Sequence, residues 1–103
     1  MVHEKKKRAD DPKKAPDPPD RQTVGRYFEA AVAVPEVSDE ATIRYAHFLH
    51  ASGDHEAALA RLAQLPASSI KDPWLRYWQA LFRGHALVAL DRTTEALDAY
   101  RAA

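Results

Sequence analysis

Histidine is the residue type with most chemistry to offer in this chain: His47 and His50 stand three apart, and His55 follows shortly after. On a helix that spacing puts two imidazoles on one face, where they can collect a transition metal or titrate near neutral pH. A carboxylate such as Asp54 or Glu56 would have to complete a metal site, and no His-Glu-x-x-His spacing is present. The expectation is therefore surface histidines that titrate, with no metal and no cofactor. Ser52, Ser68 and Ser69 lack the glycine-flanked elbow of a hydrolase nucleophile, and no Gly-rich loop could cradle phosphate. With no cysteine the chain has no thiol nucleophile, no thiolate metal site and no disulfide framework. These residue types point away from an enzyme. Trp74, Tyr77, Trp78 and Phe82 recur three and four apart, and aromatic residues at helical spacing are expected to pack inward as core.

The elements that must position these residues are helical. Three similar stretches recur, Gly25-Arg26-Tyr27-Phe28-Glu29-Ala30, Gly53-Asp54-His55-Glu56-Ala57-Ala58 and Asp91-Arg92-Thr93-Thr94-Glu95-Ala96. Each reads as a short turn leading into a helix with a small residue one turn in, which makes an internal repeat of helices. A first helix begins near Thr23 as N-cap, carries Tyr27, Phe28, Ala31, Val32 and Val34, and stops at Pro35. A second starts at Ser38-Asp39-Glu40, runs through Ile43, Tyr45, Ala46, Leu49 and His50, and ends at Gly53 in a left-handed conformation. The next carries Ala57, Ala58, Leu59, Leu62 and Leu65 as far as Pro66, so the two form an antiparallel hairpin. Asp72-Pro73 reads as an N-cap with proline at the first helical position, opening a long helix from Trp74 to Leu90. After the Asp91-Arg92 turn a last helix includes Leu97, Ala99 and Tyr100, and no Gly or Pro closes it. That open end suggests a fragment of a longer array, or a face for self-association.

Residues 1–21 differ in kind. Pro12, Pro16, Pro18 and Pro19, the Lys5-Lys6-Lys7-Arg8 cluster and several Asp accompany a single large aliphatic residue, Val2. Such a segment cannot bury enough surface to offset its ordering entropy, so a disordered tail with polyproline character is expected. The basic cluster could contact nucleic acid, but Asp10, Asp11, Asp17 and Asp20 blunt its field. The folded part shows no basic stripe, and the chain balances 15 basic against 15 acidic residues, so neither nucleic acid nor an anionic membrane is the expected partner. No apolar run approaches the length of a membrane span and the start lacks the apolar region of a secretory signal, which predicts a cytoplasmic chain.

Residues 23–103 resemble the tetratricopeptide repeat, a helix-turn-helix unit of about 34 residues. The family's small-residue positions fall on Ala46 and Ala58 in one unit, and on Gly84, Ala96 and Ala103 in the next. Larger positions fall on Tyr45, Leu49 and Leu62, then on Leu87 and Tyr100. Small residues let paired helices approach, while larger ones fill the space between units. The pattern is degenerate: Thr42 and Ala80 stand where a large residue is usual, Leu65 where a small one is, and the turns are unevenly spaced. The resemblance implies an all-α, short solenoid of stacked antiparallel hairpins, about two and a half units over 23–35, 38–66 and 72–103, behind a disordered N-terminal tail. A non-repeat three- or five-helix bundle is the alternative fold.

By the same resemblance the first helix of each pair lines a concave groove. The residues carried over are Glu40, Ile43, His47, His50 and Ala51 in one unit, and Trp78, Leu81, His85, Val88 and Ala89 in the next. Ile43, His47, His50, Trp78, Leu81, His85 and Val88 are the candidate partner-binding residues, for a protein or peptide anchored on Trp78 and oriented by His47 and His85. Ile43, His47 and Leu81 do not supply the Lys, Arg and Asn of the family's clamp for a terminal carboxylate. The expected function is a non-catalytic adapter or scaffold module. The alternatives are a structural segment of a longer array, without binding activity of its own, and a nucleic-acid-associated protein anchored by Lys5–Arg8.

Overall fold

The computed structural model describes residues 20–103, which form five α-helices, two short 3-10 turns and no strand. The helices are α1 (Arg21–Val32), α2 (Ser38–Ala51), α3 (His55–Ala63), α4 (Pro73–Ala89) and α5 (Thr93–Arg101). The 3-10 turns Pro35–Val37 and Ala67–Ser69 join α1 to α2 and α3 to α4. The Lys5–Arg8 cluster and nearly all of the proline-rich tail expected from the sequence lie outside the described residues.

Two boundaries differ from the sequence reading. The first helix begins at Arg21, and its cap is Asp20, whose carboxylate accepts the Thr23 backbone N–H at 2.7 Å. Asp is as good a cap as Thr, and starting one turn earlier adds intrahelical bonds ahead of Thr23. Gly25 therefore sits inside α1 and not at a turn, so only Gly53 and Asp91 mark inter-helix turns.

Those two turns share one geometry. In the first, the Gly53 N–H donates to the His50 carbonyl at 3.0 Å and the Asp54 N–H to the Leu49 carbonyl at 2.8 Å. In the second, the Asp91 N–H donates to Val88 at 3.0 Å and the Arg92 N–H to Leu87 at 2.9 Å. Both are Schellman endings, which need a left-handed residue just past the cap, and Gly53 (φ 88°) and Asp91 (φ 60°) supply it. Opposite them, Asp72 caps α4 as its sequence predicts, accepting the Trp74 N–H at 2.9 Å ahead of Pro73.

The turns fold α2 against α3 and α4 against α5, while α1 packs on α2 and α4 packs on both α2 and α3. Ile43, Ala46, Leu49, Ala58, Leu62, Ile70 and Ala86 form the main core, and Leu87, Ala96 and Ala99 a smaller one beneath α5. Small residues sit where helices approach most closely. A methyl group on Gly84 would lie 2.4 Å from the Tyr100 ring, so only glycine admits that ring against α4. The α3–α4 linker is tied down by Arg76, which donates to the Ile70 carbonyl at 2.8 Å, and by buried Gln79, which donates to the Leu65 carbonyl at 3.3 Å.

Candidate functional site

α2 and α4 lie side by side in parallel register, because His47 meets Phe82 at 4.6 Å between ring centroids and, one turn on, His50 meets His85 at 6.3 Å. Between them lies a groove of about 710 Å³. Its α2 wall carries Glu40, Ile43, Arg44, His47 and Ala51, its α4 wall Trp74, Leu75, Trp78 and Phe82, and Phe28 and Phe48 close one side. Volume and apolar lining put it in the range of sites that hold small ligands or peptide side chains.

Each wall has a physical origin. Ile43 is 2 % exposed and serves as floor as well as core. Trp74 and Trp78 are 69 % and 39 % exposed, and Tyr77 between them is exposed too. The inward packing expected for this aromatic run is thus corrected for its first three members, while Phe82 is half-buried. In these first turns Leu75 packs against the core, while the aromatic residues stand on the sides of α4 that no other helix covers. The rings support one another instead, Trp74 on Tyr77 at 6.3 Å and 89°, Tyr77 on Trp78 at 5.4 Å and 73°, and Trp78 on Phe82 at 5.3 Å. Edge-to-face packing of this kind keeps aromatic side chains ordered while leaving their faces open. Phe28 reaches the groove from α1 by stacking on Tyr45 at 5.2 Å and leaning on Phe48 at 5.7 Å. Arg61, ion-paired with Glu29 and lying 4.7 Å over the Tyr45 ring, ties α1, α2 and α3 together behind them. On the rim, Arg44 and Glu40 pair at 2.7 Å.

Of the candidate residues read from the sequence, Ile43, His47 and Trp78 line this groove. His50, Leu81, His85 and Val88 do not. His50 and His85 belong to a second cluster toward the Gly53 turn: the Nδ1 atoms of His50 and His55 are 2.9 Å apart, and His85 Nδ1 is 2.8 Å from the Tyr100 hydroxyl. Burial, and then the neighbouring rings of His55, His85 and His47, hold His50 below the ordinary imidazole value of 6.5. Leu81 is half-buried, and Val88 is exposed outside the groove. Among the described residues no three His, Asp or Glu side chains converge as a metal-binding set, and no helix there is long and apolar enough to cross a membrane.

Sequence reasoning did not place Phe28, Arg44, Phe48, Trp74, Leu75 and Phe82 in the groove. The Asp72-Pro73 start was the available signal for Trp74 and Leu75, since it sets α4 one turn ahead of the register that the resemblance implies. Nothing local marks Phe28, which is brought there by tertiary packing alone.

Among the described residues the fold is all-helical, with two antiparallel hairpins and an aromatic cleft between their first helices. No protein-family model matches the chain, and no curated protein or solved structure is significantly similar to it.

Proposed function

We propose that this chain is a tetratricopeptide-like, non-catalytic interaction module that receives an extended peptide or a helix of another protein in the groove between α2 and α4. The observation that carries the reading is the exposure of Trp74 and Trp78 on a cleft whose floor is core. Burying two indoles costs little conformational entropy and gains large apolar area, which is why tryptophan dominates binding hot spots. Buried Ala46 and Ala58, buried Ala96, and Gly84 against the Tyr100 ring further support the repeat assignment, since small residues stand in close packing at the positions the resemblance requires.

Selection of binders from a random peptide library on the full chain tests this, followed by titration into Trp78→Ala and Trp74→Ala. The expected outcome is affinity reduced by about 2 kcal/mol or more at a hot spot with an unchanged melting temperature. Selected peptides that bind both variants as tightly as the intact chain would sink the groove.

A second reading, a segment of a longer array, is favoured by Val88 and Leu97, which are 51 % and 48 % exposed on α4 and α5. A melt by circular dichroism that sharpens and rises with tenfold higher concentration supports it, and a concentration-independent cooperative melt counts against it.

A further inference from the structure

We infer that the outer face of α4 is a dimer interface, on which α4 of a second copy of this chain lies antiparallel about a twofold axis at Leu81. The pairing does not rest on the groove reading and leaves the groove open.

The two hairpins show what such a face needs. Counted from the left-handed residues Gly53 and Asp91, Ile43 and Leu81 both stand ten positions before the turn, and Leu59 and Leu97 both stand six after it. On the first hairpin this face is covered: Ile43 is nearly inaccessible, and it shares one cluster with Leu59 and with Leu75, Phe82 and Ala86 of α4. On the second, Leu81 is half-buried, Val88 and Leu97 are exposed, and no further helix among the described residues packs on that side. At about 100° per residue, Tyr77, Leu81 and Val88 fall within about 40° of one another, and Tyr77 is exposed as well. Arg83, the one charged residue between Tyr77 and Val88, points about 140° away from the centre of this stripe. A contiguous, uncharged apolar stripe of this kind marks a protein contact.

The stripe fits its own twin. α4 runs Pro73–Ala89, so Leu81 is its middle residue. Lys71 and Asp91 lie ten residues to either side of it, both exposed, and neither has an ion pair among the described residues. In an antiparallel pair centred on Leu81, Lys71 of each copy comes opposite Asp91 of the other, whereas a parallel pair would set like charges together. The parallel packing by which α4 covers the first hairpin is closed to a second α4, because the side that makes it, with Leu75, Phe82 and Ala86, is already packed in the core. Trp74, Trp78 and Phe82 turn progressively from the stripe toward α2, about 40°, 80° and 120° from its centre, so the groove stays outside the pairing. The contact is isologous and closes at two copies. One helix face with Leu97 at its edge is small for a specific interface, below about 1,200 Å², so a dissociation constant of about 10 µM is expected. At lower concentrations the chain is single and the face stands open.

Sedimentation equilibrium of the full chain from about tenfold below to about tenfold above that value tests the pairing. The mass should rise from one chain to two and stop there. Val88→Glu places a charge in the interface and should weaken the dimer at least about tenfold, with an unchanged melting temperature at low concentration. Because the chain has no cysteine, single cysteines map the axis. Leu81→Cys should oxidise to a disulfide-linked dimer, Lys71→Cys and Asp91→Cys should cross-link only when mixed, and Tyr27→Cys on α1 should stay single. The mass of one chain throughout, or a dimer that Val88→Glu leaves intact, overturns the proposal. Growth past two chains would assign the face to an open array, and Lys71→Cys chains that cross-link among themselves would make the pair parallel. Either result overturns the twofold.

Discussion

The hairpins α2–α3 and α4–α5 share a turn geometry and a pattern of small residues, yet they bury very different amounts of core. The first contributes Ile43, Ala46, Leu49, Ala58 and Leu62, all nearly inaccessible, because α1 covers one side and α4 the other. The second contributes Ala86 to that core, but Leu87, Ala96 and Ala99 form a satellite, and Val88 and Leu97 remain in solvent. A hairpin of this kind cannot bury both of its faces alone, so its stability depends on neighbours as much as on its own residues. The difference also explains where the aromatic surface lies. The buried residues of α4 all lie from Gln79 onward, and its first two turns, with Trp74 and Trp78, border the groove.

Substitutions in the shared core separate the two hairpins most strongly. Leu62→Ala removes a fully buried side chain from that core and should cost about 2–5 kcal/mol, whereas Leu97→Ala should stay within about 0.5 kcal/mol. Urea denaturation of both variants checks the contrast, and equal losses would mean that the face bearing Leu97 is covered in solution. Gly84→Ala comes next. The new methyl displaces the Tyr100 ring and its contact with His85 Nδ1, so a loss of about 1–3 kcal/mol from overpacking should outweigh the gain in helix propensity. A stabilised variant would show instead that α5 moves away easily.

The shared turns give a reciprocal pair. Gly53→Asp imposes a left-handed side chain and should lose about 1 kcal/mol, and Asp91→Gly should recover a similar amount by relieving one. Thermal melts that show the same sign for both would deny that the turns are equivalent. The smallest effect expected is that of pH. His50 is held below 6.5 in the folded chain, so as pH falls below that value the unfolded chain takes up its proton first. Stability contributed by neutral His50 is thus present above pH 6.5 and is lost through the window below it, until the folded value is reached. The groups facing it are His47 on its own helix, His55 at the start of α3, and His85 on α4, with Tyr100 of α5 behind His85. His50→Gln should flatten the slope of melting temperature against pH in that window, and an unchanged slope would assign it to another group.

Much of the architecture is legible in the residues themselves. Gly53, Asp91, and the Asp72-Pro73 pair are local instructions, since each specifies a backbone conformation or a capping bond that neighbours in sequence complete. The start of α1 is ambiguous in sequence because Asp20 and Thr23 are both good caps, and the bond between the Asp20 carboxylate and the Thr23 N–H decides for Asp20. The groove is legible in part: Ile43, His47 and Trp78 follow from the register that the resemblance implies, while His50 and His85 share that expectation but meet other histidines and Tyr100.

By itself, then, the sequence determined helix type, the order of the helices, the left-handed turn at Gly53, the place of the Asp91 turn and the exclusion of thiol chemistry, because each depends on composition or on bonds made within a few residues. Only the tertiary structure decided that Trp74 and Trp78 stand open, that Phe28 closes the groove from α1, and that His50 faces His55. Periodicity assigns residues to a common helical face, but whether that face is covered depends on the lengths and crossing of helices distant in sequence.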